Sequence, residues 1–332
     1  MHFILLFLVL SEKARLIMQI SGFSFGRNAV KLHYPVVEAI QSILPIVDEF
    51  VVAIGKGDDD DVTLESVRSI QSPKLKIIET VWDEKYCYRG AINAVQTDIA
   101  MKACTGDWLF YVQADEVVHE KYHPVILERC EQCLDDSRVE GLLFRYRHFW
   151  GDYGHYHDSH RWYPYEIRIV RNQPNIHSFE SAQSFRVFET WEHPRQNHGT
   201  RKLRVAKVDA EIYHYGWVRP PHVMQMKNRA FHSIHWGFQR AKQHYDAAPA
   251  EFDYGPLDRL CVFRDTHPRV MLKRIHQMNW QDKLQISGKP DKNRPPHPHE
   301  RMKYRFLTWI EKKCLRGKRI ASFKNYRLLK NV

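Results

Sequence analysis

The chain has 332 residues, with 50 Lys and Arg against 39 Asp and Glu, for a formal net charge of +11. That length suits one large domain with an appendage. Its six cysteines show no secreted disulfide framework and fit a reducing compartment. The charge is concentrated: residues 269–332 hold 18 Lys and Arg against 4 Asp and Glu, and taking this +14 from the whole leaves residues 1–268 at −3.

Met1 to Leu10 is almost entirely apolar. It is shorter than the ~20 residues that span a bilayer and lacks the basic region and cleavage site of a signal peptide. Residues 1–17 therefore read as a non-native or disordered extension, with Met18 as the expected start. From Met18 the chain alternates strands and helices. Strands are expected at Met18–Phe25, Asp48–Ile54, Lys74–Thr80 and Asp107–Val112, and helices at Ala29–Leu44, Thr63–Ile70 and Gly90–Ala103. Repeated β-α-β units predict an α/β, mostly parallel sheet flanked by helices. Right-handed crossovers bring together the polar ends of the first, second and fourth strands. Those ends carry Arg27 and Asn28, the acid run Asp58–Asp61, and Asp115 with Glu116.

The densest signal is Gly106–Glu116 (GDWLFYVQADE), an apolar run that ends directly in carboxylates. Ligands of open α/β sheets bind beyond the carboxyl ends of the strands, so this pair stands where a divalent cation and its phosphates would be held. A lone Asp-Glu pair is more often a solvated strand end; the surrounding β-α-β pattern favours the site.

Three segments, Ile20–Asn28 (ISGFSFGRN), Asp48–Gly55 with the acids and Thr63 after it, and Ala103–Glu116, resemble the opening strands and the Asp-x-Asp-type motif of family 2 glycosyltransferases of the GT-A (Rossmann-like) fold. The resemblance covers roughly residues 18–217. It implies an inverting transferase with a nucleotide-sugar donor, UDP- or GDP-linked, and Mn²⁺ or Mg²⁺ as the metal. The implied metal ligands are Asp115 and His214, the latter in Tyr213-His214-Tyr215-Gly216-Trp217. Glu116 is placed on a sugar hydroxyl or beside the metal. Donor contacts fall to Arg27, Asn28, Asp58, Gln113, Ala114, Asp115, Arg168 and Arg219. Gln113 replaces the first Asp of the motif and Val62 the usual Gly before Thr63, so a sugar-nucleotide-binding protein without turnover is the alternative.

Inversion needs a general base on the acceptor side. The candidate is Glu166 in Trp162–Arg171, where alternation puts Glu166, Arg168 and Val170 on one face and Ile167 and Ile169 on the other. A surface Glu-Arg pair is an equal reading, and Glu180, Glu189 and Glu192 are weaker rivals. His155, His157 and His160 lie among aromatics in what reads as an exposed, acceptor-binding loop, without zinc-site spacing. Cys130 and Cys133 read as two thiols on one helix.

The expected organisation is a glycosyltransferase domain at 18–217, with a nucleotide-sugar half at 18–141 and a mixed acceptor half at 142–217. A helical extension follows at 218–286, in which Val223, Met226, Ala230, Phe231 and Ile234 mark a helix packed on the sheet. Residues 287–332 form a Pro-rich linker and a basic amphipathic tail bearing Met302, Phe306, Trp309, Ile310 and Cys314. Such a tail suits an anionic membrane surface or packs back on the domain. The acceptor is then a glycan or lipid-linked hydroxyl at the cytoplasmic face, as in cell-envelope polysaccharide biosynthesis. The basic pI also admits a nucleic-acid binder, but none is expected, since the first 268 residues are acidic and no such motif appears.

Overall fold

The computed structural model describes residues 18–182, 184–321, 324–330 and 332, so the expectation for 1–17 lies outside the described residues. The elements are, in order, β1 (Ile20–Gly26), α1 (Val36–Ile43), β2 (Glu49–Gly55), α2 (Thr63–Arg68), β3 (Leu75–Thr80), α3 (Ala91–Lys102), β4 (Trp108–Tyr111), β5 (Glu116–Val118) and α4 (His123–Gln132). They continue as β6 (Gly141–Trp150), β7 (His155–His157), β8 (Tyr165–Arg171), β9 (Ile176–Phe179), β10 (Ser184–Phe188) and β11 (Thr200–Trp217). The rest are α5 (Pro221–Trp236), α6 (Phe238–Asp246), β12 (Cys261–Val262), α7 (Leu272–His276), α8 (Met302–Lys313) and β13 (Tyr326–Leu328).

The sheet runs β3-β2-β1-β4-β8-β6-β11-β10-β9, giving a mixed α/β fold. The first four strands are parallel, as β-α-β crossovers require. From β4 onward β8, β10 and β9 join antiparallel, with β6 and β11 a parallel pair between them. Strand β2 is buried at every position, and its alternate residues feed two cores: Phe50, Val52 and Ile54 on the α1 side, Val51 and Ala53 on the α3 side.

Helix α1 is shorter than the expected Ala29–Leu44. Asn28 and His33 adopt positive φ (53° and 59°), and Pro35 offers no N–H, so residues 28–33 form one isolated turn. In β8 the expected alternation also fails. Leu142 pairs with Ile169 and Leu143 with Ile167, leaving Arg168 as an extra residue. This bulge sends Ile167 and Ile169 into opposite cores and re-aims Arg168.

Helix α5 corrects a further expectation. Its buried residues are Pro221, Met224, Lys227 and Asn228, while Met226 and Phe231 are more than 40% exposed. The 155–160 segment is likewise no exposed loop: β7 pairs with β6, and His157 is buried between Trp150, Trp162 and His299. The Pro-rich stretch is tied down, because Arg294 binds both Asp253 and Glu300.

Candidate active site

The site forms where the ends of β1, β2 and β4 meet the far end of β11. Asn28 Oδ1 accepts from the Asp58 N–H at 2.8 Å, so Arg27, Asn28 and Asp58 stand together. Asp58 also meets Lys31 Nζ at 2.8 Å, and that ammonium holds its carboxyl below the usual range. The turn is built by Asp61, which accepts from Thr63 Oγ1 and the Lys31 N–H. Arg27 lies over the Trp82 ring, 5.5 Å from its centroid, with its Nε unpartnered.

Strand β11 runs antiparallel to β5 with His214 opposite Glu116, and the Tyr215 N–H donates to the Asp115 carbonyl. This register sets His214 Nε2 3.5 Å from Asp115 Oδ2. A second histidine orients the first. His148 Nε2 donates to the Tyr163 carbonyl at 2.8 Å, and burial keeps this ring neutral by lowering its pKa well below 6.5. Its Nδ1 is therefore an acceptor, taking the proton of His214 Nδ1 at 3.0 Å. His214 Nε2 is left facing the carboxylate. Deprotonated, it and Asp115 Oδ2 are two electron-pair donors turned toward one point.

Glycine keeps that point open. A Cβ on Gly216 would lie 2.5 Å from both Asp115 Oδ2 and His214 Nε2. The donor pair and the space beside it fit a hard divalent cation that takes most of its ligands from phosphate and water. Among the described residues no group of three or more His, Cys, Asp or Glu gathers as a metal cluster.

Two buried cations converge on the same place. Arg219 is fully buried; Nη1 donates to the Leu32 carbonyl at 2.7 Å, while Nε and Nη2 have no hydrogen-bond partner among the described residues. Lys227, buried on the inner face of α5, rests 4.4 Å from the Trp217 ring centroid. Burial and the Arg219 charge push its pKa down to about 7 against the pull of Asp115. Burial alone would raise the Asp115 carboxyl, but a His214 that keeps its Nε2 proton, with Arg219 and Lys227, holds it at about 2. Lys227 had no sequence motif to announce it. Its only signal was a Lys within a helix whose inner face was expected to be apolar.

Glu116 and Arg168 do not enter this space. Arg168 grips both Glu116 oxygens at 2.7 Å, and Tyr146 Oη donates to the same carboxylate at 2.7 Å. Both side chains are fully buried, so the expected roles of Glu116 at a sugar and Arg168 at a phosphate give way to an internal ion pair. Gln113 Nε2 donates to the Ala182 carbonyl at 2.7 Å, and Ala114 lies half-buried at the turn between β4 and β5. Glu166 is 3% exposed with Oε2 unpartnered; burial, with Glu116 adding and Arg168 opposing, raises its pKa to about 8. The half-buried Trp162 and Trp217, 5.9 Å apart, flank the His148 side.

Several solved glycosyltransferase structures are similar to this chain at low identity. S. aureus TarS (residues 1–349) matches at a TM-score of 0.37 and 15% identity, over 68% of this chain and 72% of that one. Its complex with UDP matches at 0.30 and 21%, over 40% and 36%. The chain thus spans about a third of that complex. The Pyrobaculum calidifontis mannosyltransferase PcManGT, in complex with GDP-Man and Mn²⁺, matches at 0.29 and 20%, over 37% and 34%. At such scores the likeness carries no argument. No protein-family model and no curated protein sequence matches the chain.

Proposed function

We propose that this protein is a metal-assisted, inverting glycosyltransferase that moves a sugar from a UDP- or GDP-linked donor to a hydroxyl of a glycan or lipid-linked acceptor. One observation carries the reading: two buried cations, Arg219 and Lys227, gather round the single carboxylate of Asp115 beside His214, and Arg219 Nε and Nη2 find no hydrogen-bond partner among the described residues. One carboxylate leaves two buried cations under-balanced, which is costly, and a diphosphate would supply the missing negative charge.

Asp115 and His214 would hold Mn²⁺ or Mg²⁺, and the bound ion would neutralise charge on the departing diphosphate. Arg219 Nε and Nη2 and the Lys227 ammonium meet phosphate oxygens directly. Arg27, Asn28 and Asp58 line the nucleoside side, with the Gln113 amide oxygen and Ala114 next to it. Glu166 is the proposed general base, since a carboxyl titrating near neutral pH suits proton removal from a hydroxyl. Among the described residues no helix is long and apolar enough to cross a membrane. We place the protein in the cytoplasm, at the inner face of the membrane. A second reading, donor binding without turnover, draws on Gln113, whose amide is held by Ala182 and brings no charge.

The test is calorimetry of nucleosides, nucleoside mono- and diphosphates and nucleotide sugars, with and without Mn²⁺, on wild type and Asp115→Ala. Diphosphates should bind more tightly than monophosphates, and the gain from Mn²⁺ should vanish in Asp115→Ala. If no nucleotide binds, the proposal fails. Binding with neither transfer nor donor hydrolysis selects the second reading.

A further inference from the structure

Helix α8 is built inside out. Its apolar side chains Met302, Phe306 and Trp309 are 73%, 60% and 54% exposed, and they recur at i, i+4 and i+7 along one face. The Phe306 and Trp309 rings stack with centroids 6.2 Å apart. The only carboxylate of the helix, Glu311, points inward and is 1% exposed.

That inward face is a polar clip. Glu311 accepts from His160 Nδ1 at 2.7 Å, Arg319 Nη1 at 2.7 Å and the Ile320 N–H at 2.8 Å. Thr308 Oγ1 accepts from the His160 N–H, and Asp158 pairs with Arg319 and Lys312. A helix placed by hydrophobic burial would turn its apolar stripe to the core. Here ion pairing overrides that preference, and the aromatic pair is left facing solvent.

The charge around the stripe names its partner. Arg301, Lys303, Arg305 and Lys313 are exposed on or at the ends of the helix, Arg316 and Lys318 are exposed just after it, and the sole acid of the helix is spent inside. We propose that α8 docks the protein on an anionic phospholipid bilayer, with Met302, Phe306 and Trp309 entering the headgroup–acyl boundary and the basic side chains meeting lipid phosphates. Aromatic residues favour that boundary, and each basic group adds attraction to an anionic leaflet. A second copy of the chain would bring like charge against like and is disfavoured. The clip also ties α8 to the segment that leads into Trp162 and Tyr163, so docking would hold the candidate active site in a set relation to the lipid. The inference goes beyond the glycosyl-transfer reading and does not depend on it.

The test is flotation of the full chain with vesicles of phosphatidylcholine alone or mixed with phosphatidylglycerol. Wild type should float with the anionic vesicles and stay behind with the neutral ones. The double variant Phe306→Ser/Trp309→Ser should bind at least tenfold more weakly with an unchanged urea midpoint, since both side chains are exposed. Removing Lys303 and Arg305 as Gln should weaken binding about fivefold for each charge. Equal binding to both vesicle types would overturn the proposal. So would undiminished binding by the serine variant, or self-association abolished by that variant in a chain that ignores lipid. Nucleotide binding is read separately, so either proposal can fail alone.

Discussion

Helices α5 and α8 each bury a charged side chain and turn apolar residues to solvent, yet the two charges are treated in opposite ways. Glu311 of α8 is met by three donors, and its carboxyl is held below the usual range once those contacts outweigh burial. Lys227 of α5 has a tryptophan ring beside it, an arginine nearby and, among the described residues, only the pull of Asp115 with no hydrogen-bonded anion. A satisfied buried charge specifies how a helix sits. An unsatisfied one marks where something else must bind. The same contrast separates the closed Glu116–Arg168 pair from Arg219, whose guanidinium is only partly used.

Substitutions that remove one charge at a time would break this contrast if it is wrong. Arg168→Met should have the largest effect, because it strands Glu116 in the core. We expect a loss of about 3–5 kcal/mol in urea unfolding. Glu311→Gln should cost about 1–3 kcal/mol, since Arg319 and His160 lose their acceptor. Glu166 sharpens the comparison through pH. Its folded pKa of about 8 lies above its free value of 4.5, so its contribution is fully present below pH 4.5. It is lost as pH rises toward 8, at about 1.4 kcal/mol per pH unit. Glu166→Gln should flatten that slope in unfolding curves taken between pH 5 and 8. Lys227→Met should have the smallest effect on stability, neutral or favourable by about 1 kcal/mol, while weakening diphosphate binding about tenfold by calorimetry. A destabilised Lys227→Met protein would mean that this lysine is structural, like Glu311.

Much of the first half was legible from residue pattern. The strands at Glu49 and Trp108 carry continuous apolar runs, those at Ile20 and Leu75 mix apolar with polar residues, and the parallel order of all four follows from short β-α-β connections. Asp115 was visible because it ends such a run. The Arg168 bulge was not, since a one-residue register shift against Leu142 and Leu143 leaves no mark in the composition of β8. The inner face of α5 was misread for a related reason. Apolar spacing says where a helix has a stripe, and only the neighbouring site decides which way the stripe turns.

By itself, then, the sequence determined the alternation of strands and helices, the carboxylates at the strand ends and the basic character of the last 64 residues. Those properties depend on neighbours within a few positions along the chain. Tertiary structure decided which charges meet. It set His214 against Asp115 through the β5–β11 register and closed Arg168 on Glu116. It gathered Arg219 and Lys227 round the single carboxylate of Asp115 and turned Phe306 and Trp309 outward. Pairing energies act between residues distant in the chain, and only the assembled sheet brings them within reach.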